Sequence, residues 1–319
     1  MNNFKKVVGV LIIILIFAGC SRYKIHDYAI ESTRKKADLE SETVKISKGE
    51  IVYLNNFAKK ESDNHQDFII MVHGFGANKD NWLKLSAELT EEFKIAALDL
   101  PGHGESFSDF SNEYNIENQA KWLNEFMEAL NIKKAHIIGN SMGGGISAQF
   151  SYENPDKVLT LTLIDSAGIY KTDSDFTISL KDGKNPLVVE NMDQFKELMD
   201  LVMEKKPYIP GPVFKVLTEK KIKRKSIDQK IFEDMSKDID LSYTLEKIKV
   251  PVLILWGKKD RVLHVDNAYE FKNKIKGSRL VVFDGIGHLP MMETPEKTTE
   301  AFLDFLEENK KITKKLQIN

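Results

Sequence analysis

Eight short runs of mostly apolar, largely β-branched residues punctuate the chain: TVKIS, EIVYL, FIIMV, KIAAL, HIIG, LTLI, VPVLILW and RLVVF. Between most of the later runs the pattern changes to a helical period. In IENQAKWLNEFMEALNI, for example, Trp122, Phe126, Met127 and Leu130 fall on one face. Continuous apolar strands that alternate with amphipathic helices indicate a sheet buried on both faces. The pattern predicts an α/β fold with a mostly parallel eight-stranded sheet and helices on both sides. One interval breaks the rhythm. From 169 to 249 no strand-like run occurs, only helical pieces and turns such as KPYIPGP. That is too long for a plain loop in a compact domain, and it predicts a helical cap inserted between LTLIDSAG and VPVLILWG.

The N-terminus has its own pattern. MNNFKK supplies positive charge and VVGVLIIILIFA follows as an apolar run, shorter than the roughly 20 residues of a spanning helix. It leads to Cys20, the sole cysteine, so no disulfide forms within the chain. FAGC resembles the cleavage box of bacterial lipoprotein signal peptides, with Phe17 where leucine is usual. The resemblance implies that Cys20 is lipidated and becomes the first mature residue. An ordinary signal peptide or an uncleaved anchor with an incidental cysteine is the alternative. Stable anchoring takes more than one acyl chain. The expected organisation is a signal peptide over 1–19, a polar tether over 20–42, core over 43–168 and 250–319, and the cap over 169–249. The protein is expected to be exported and lipid-anchored to a bacterial cell-envelope membrane.

Composition adds exclusions. With 42% hydrophobic and 29% charged residues among 319, a sizeable core is feasible. A net charge of −2 gives no global attraction for nucleic acid. The cluster KKIKRK, Lys220–Lys225, reads first as a solvated helix face and second as a contact for anionic lipid. No metal-ligand spacing and no phosphate-binding glycine loop occurs, so no metal, cofactor or protein partner is implied.

The chemistry sits in HIIGNSMGGGIS. Gly139-Asn140-Ser141-Met142-Gly143 fits G-x-S-x-G at a strand-to-helix junction. Such a turn holds its serine in a strained conformation above the strand ends, and flanking glycines relieve the crowding. Serine needs a base to take its proton and a carboxylate to orient that base, expected in the order Ser, acid, His. Asp260 follows VPVLILW and His288 follows RLVVF, so both belong to loops at the same sheet edge as Ser141. Asp165, after LTLI, is a second position for the carboxylate. His73, His103 and Asp99 sit in glycine-rich turns and read as structural. The backbone N–H groups of Phe75, after FIIMV, and of Met142 are the candidate oxyanion donors. Phe75 and Met142 also read as apolar walls for substrate, whereas core packing explains Met291 and Met292 equally well.

HGFG, LDLPGHGES, GNSMGG, WGKKDRV and GIGHLPMMETP occur in the order found in the α/β-hydrolase family, which the chain resembles from about Val44 to Leu306. HGFGANKDNW, IDSAGIY, NPLVVENMDQF and KPYIPGP look most like lipases of the Moraxella and Psychrobacter type and their monoacylglycerol-lipase relatives. The resemblance implies Ser141 as nucleophile, Asp260 as acid, His288 as base, and Phe75 and Met142 as oxyanion donors. It implies a serine hydrolase that cleaves carboxylic esters of lipid-like substrates such as acylglycerols through an acyl-enzyme. The same triad on another bond, as in carbon–carbon hydrolases of ring-cleavage products, thioesterases or amidases, is the alternative.

Overall fold

A computed structural model describes residues 22–60, 66–237 and 239–316. The apolar N-terminal run and Cys20 lie outside the described residues. All eight apolar runs form strands: β1 (Glu40–Lys45), β2 (Glu50–Asn55), β3 (Phe68–Val72), β4 (Lys94–Leu98), β5 (Ala135–Asn140), β6 (Val158–Ile164), β7 (Val252–Gly257) and β8 (Arg279–Phe283). They make one sheet in the order β1-β2-β4-β3-β5-β6-β7-β8. β1 and β2 pair antiparallel, as do β2 and β4, and every later pairing is parallel. β1 is an almost wholly exposed edge strand, and its charged sequence ESETVK discourages pairing with another chain.

Alternate residues feed two cores. Ile70, Val72, Ile137, Leu163, Ile254 and Trp256 join one cluster, and Ile69, Met71, Ile138, Ile164, Leu253 and Leu255 join the other. This is the two-residue period of a sheet covered on both faces. The helices, in chain order, are α1 (22–36), α2 (Leu83–Ala87), α3 (Ile116–Ala129), α4 (Met142–Glu153), α5 (Asp175–Lys181), α6 (Met192–Val202), α7 (Gly211–Lys223), α8 (Lys225–Met235), α9 (Ser242–Lys247), α10 (Asp266–Lys274), α11 (Pro290–Glu293) and α12 (Pro295–Leu316). Helices α5 to α9 fill the interval between β6 and β7, where no strand was expected. The predicted face of α3 is the buried one, with Trp122, Phe126 and Met127 in the first core and Leu130 packed against it. Asn115 caps that helix by accepting from the Asn118 N–H at 2.9 Å.

Two stretches differ from expectation. The polar segment read as a tether is helical over 22–36 and docked. Its Arg34 donates to both Asp80 carboxylate oxygens at 2.7 and 2.9 Å. Its Arg22 pairs with Glu219 of α7 at 3.0 Å. Two charges of this segment, Arg22 and Arg34, are thus pairing groups whose partners lie far along the chain. KKIKRK is likewise not one solvated face. Lys221 is buried and, with Arg224, binds the buried Asp228 at 2.8 and 2.9 Å. Among the described residues no helix is long and apolar enough to cross a membrane.

The Arg34–Asp80 fork is expected to hold α1 on the body. Replacing Arg34 by Ala is expected to cost about 1–3 kcal/mol, the range for hydrogen bonds to charged groups. The midpoint of thermal unfolding should fall, and amide exchange should accelerate across 22–36 more than in the central strands. Unchanged exchange in that helix would mean that other contacts carry the docking.

Candidate active site

Parallel register brings the strand ends together. Val72 of β3 lies opposite Gly139 of β5, Ile164 of β6 opposite Asn140, and Leu255 of β7 opposite Ile164. The loops that follow these strands therefore leave one edge side by side. Ser141 occupies the turn from β5 into α4 with φ 55° and ψ −122°, a conformation that costs a non-glycine residue of order 1–3 kcal/mol. Backbone bonds hold it there. The Ser141 N–H donates to the Ile164 carbonyl at 3.0 Å, and the Ser141 carbonyl accepts from Gly144 and Ala167 at 2.9 and 3.0 Å.

The glycines flanking the serine have a steric reason. A Cβ on Gly143 would stand 2.2 Å from the Val72 carbonyl oxygen and 2.4 Å from that of His73, and one on Gly139 would stand 2.3 Å from the Gly143 oxygen. The first turn of α4 crosses the end of β3 so closely that only bare backbone fits.

Asp260 and His288 meet as a buried pair, with His288 Nδ1 2.7 Å from Asp260 Oδ2. The other Asp260 oxygen accepts from the Val262 and Leu263 N–H groups at 2.7 and 3.0 Å. A carboxylate at Nδ1 fixes the proton on that nitrogen and leaves Nε2 as the basic one. Asp165, the second position considered for the acid, instead accepts from the Gly257 N–H at 2.8 Å.

Ser141 opens into an apolar pocket between core and cap, lined also by Phe75, Met142, Phe176, Phe232 and Val262. Phe232 of α8 stands edge-on to Phe75 at 5.9 Å and to Phe176 at 6.3 Å. Neither the Phe75 nor the Met142 N–H has a protein acceptor among the described residues. Met291 belongs to the core cluster beneath α12, with Met292 packed against it, so core packing accounts for both.

His73 fixes the loop that carries Phe75. Its Nε2 accepts from the Leu100 N–H at 3.0 Å, so Nδ1 holds the proton and donates to the Gly74 carbonyl at 2.8 Å. Burial pushes His73 down to about 4, which keeps the ring neutral. Asp99 accepts from the backbone N–H and the Nζ of buried Lys79, each at 2.7 Å, and from the Glu105 N–H at 2.9 Å. These are structural roles.

Three supporting residues escaped the sequence reading. Asn140 donates to the carbonyls of Ile164 and His288 at 3.1 and 3.2 Å, tying the serine turn to the His288 loop. Glu293 accepts from Gly287 at 3.1 Å and from the cap residues Glu204 and Lys205 at 3.0 and 2.8 Å. Glu293 lies in the first turn of a four-residue helix and takes N–H groups from the residues leading into it and from the cap, and its cap partners are far away in sequence. Lys221 lies 5.4 Å from the Phe75 ring centroid, with Nζ 3.4 Å from the Gly76 carbonyl. Its burial inside a basic run gave no sequence signal.

The serine turn, the His–Asp pair and the sheet order are those of an α/β hydrolase, and residues 67–199 match the family model described as alpha/beta hydrolase fold. The chain belongs to this family. It is 32% identical over 283 residues to Lipase 1 of Psychrobacter immobilis, covering 86% of this chain and 87% of that one. It is 32% identical over 255 residues to the monoacylglycerol lipase ABHD6 of Mus musculus, covering 76% of each. The solved structure of a membrane phospholipase A, described as a bacterial virulence factor, superposes with a TM-score of 0.87 at 33% identity. It covers 97% of this chain and 99% of that one.

A pH dependence of stability follows from His73. Its value is about 4 folded against 6.5 in the open chain. Above 6.5 the ring is neutral in both states. Below it the unfolded chain takes the proton first, so stability is lost as pH falls toward 4, by about 3 kcal/mol in total. Denaturant midpoints are expected to decline over this window in the wild type and less steeply in His73→Asn. Parallel declines would show that His73 is not the group responsible.

Proposed function

We propose that this protein is a lipid-ester hydrolase that works through Ser141, His288 and Asp260 and is exported and held at a bacterial envelope membrane by lipidation of Cys20. The observation that carries the catalytic reading is the 2.7 Å pairing of His288 Nδ1 with Asp260 Oδ2 at the sheet edge where Ser141 faces an apolar pocket. Ser141 Oγ attacks the ester carbonyl while His288 Nε2 takes its proton. Asp260 holds the imidazole in the required tautomer and stabilises the imidazolium. The tetrahedral oxyanion sits between the Phe75 and Met142 N–H groups, each worth about 2.7–4 kcal/mol to the transition state. The positive end of α4 adds to that field. His288 then gives its proton to the departing alcohol. Water repeats the sequence on the acyl-enzyme and releases the fatty acid.

The pocket wall of Phe75, Phe176, Phe232 and Val262 suits an acyl chain rather than a charged group. Supporting the lipid class are the relatives named a lipase, a monoacylglycerol lipase and a phospholipase A. The membrane reading rests on the apolar run leading to Cys20.

The test is a substrate panel: p-nitrophenyl esters of graded chain length, mono- and triacylglycerol, and a diacyl phospholipid. The wild type is expected to cleave acyl esters, and Ser141→Ala to lose on the order of 10⁴-fold or more. Cleavage that survives in Ser141→Ala, or a wild type that cleaves none of these esters, would overturn the proposal.

A further inference from the structure

Asp165 is a carboxyl that the mechanism above does not use, yet its place beside the site is costly to maintain. It is fully buried and holds φ at 44°. That left-handed conformation is strained for most side chains and most accessible to Asn and Asp. One Asp165 oxygen takes the Gly257 N–H at 2.8 Å. The other, Oδ2, is buried, and no protein donor reaches it among the described residues.

Its neighbours are the acid and the base of the site. One ligand-type atom each of Asp165, Asp260 and His288 lies within 4.8 Å of the others. Two ionised carboxyls this close in a dry site repel each other, and a proton on one of them removes the repulsion. Counting donors decides which one keeps it. Asp260 already receives two backbone N–H groups and the imidazole N–H, all of which favour its charge. Asp165 receives only one. A carboxylate offers about four acceptor sites, so Asp260 has room for a further donor.

We propose that Asp165 is a positioning residue for the acid of the site: it keeps its proton and donates an O–H hydrogen bond to Asp260, fixing the carboxylate that orients His288. The proposal rests on the reading of Ser141, His288 and Asp260 given above. The surroundings agree with it. Burial first and Asp260 second push the Asp165 carboxyl well above the usual carboxylate range, and the more distant Glu293 acts in the same sense. The pair then carries one negative charge, which is what an imidazolium formed during catalysis needs.

The test reads the proton and its purpose separately. Infrared spectra of the full chain at about pH 8, where free carboxyls are ionised, are expected to contain a protonated-carboxyl absorption. It should persist in Ser141→Ala and vanish in Asp165→Asn and Asp165→Ala. Its absence from the wild type, or its survival in both Asp165 variants, overturns the proposal. In turnover, Asp165→Asn keeps an acceptor for Gly257, a donor for Asp260 and the left-handed backbone. It is expected to stay within about threefold of wild-type kcat, whereas Asp165→Ala falls roughly 10–100-fold with KM little changed. Equal losses in the two variants contradict a donor role. A wild type inactive on every ester would sink the ester reading alone, and the infrared band would still decide the proton.

Discussion

The rest of the structure depends on one close crossing, where the first turn of α4 passes over the carbonyl end of β3. The 2.2 Å that separates a notional Cβ on Gly143 from the Val72 oxygen excludes every side chain at that point. With the helix seated so low, the chain must turn sharply out of β5, and Ser141 is left in a left-handed backbone conformation at the lip of the pocket. The strain is sustained by bonds to β6 and to the segment after it, through Ile164 and Ala167. Steric exclusion, strand register and hydrogen bonding thus fix one hydroxyl in space before any chemistry is considered.

Electrostatics builds outward from that point. The walls of the pocket are apolar, and the buried histidine beneath the Phe75 loop is neutral. The proposed base and acid lie in loops whose backbones are tied to their surroundings. Asn140 reaches the His288 carbonyl, and the Gly287 N–H meets Glu293, which also gathers N–H groups from the cap. The His288 N–H itself bonds to the carbonyl of Val202 at the end of α6 at 3.1 Å. The cap is therefore bonded directly to the loop that carries the proposed base.

The sheet was legible because its signal is local. Each strand is a run of apolar residues bounded by turn formers, and the α3 face repeats within a few turns. The loop positions of Ser141, Asp260 and His288 were legible because each lies within a few residues of the end of β5, β7 or β8, and these parallel strands end at one edge. What escaped depends on partners distant in sequence. Arg22 and Arg34 resemble solvated charges until Glu219 and Asp80 are seen beside them. Lys221 and Arg224 sit in a run of basic residues that local composition cannot sort into inward and outward. The sequence presented Asp165 and Asp260 as two places for one carboxylate. Only the fold shows both, with His288 on Asp260 and the Gly257 N–H on Asp165.

In the full chain this turn is proposed to make Ser141 an activated nucleophile. Treating the protein with a fluorophosphonate ester and locating the adduct by mass spectrometry tests it directly. A single adduct is expected on the peptide containing Ser141, formed much more slowly once His288 is replaced by Ala. No adduct, an adduct on another serine, or a rate indifferent to His288 would contradict it.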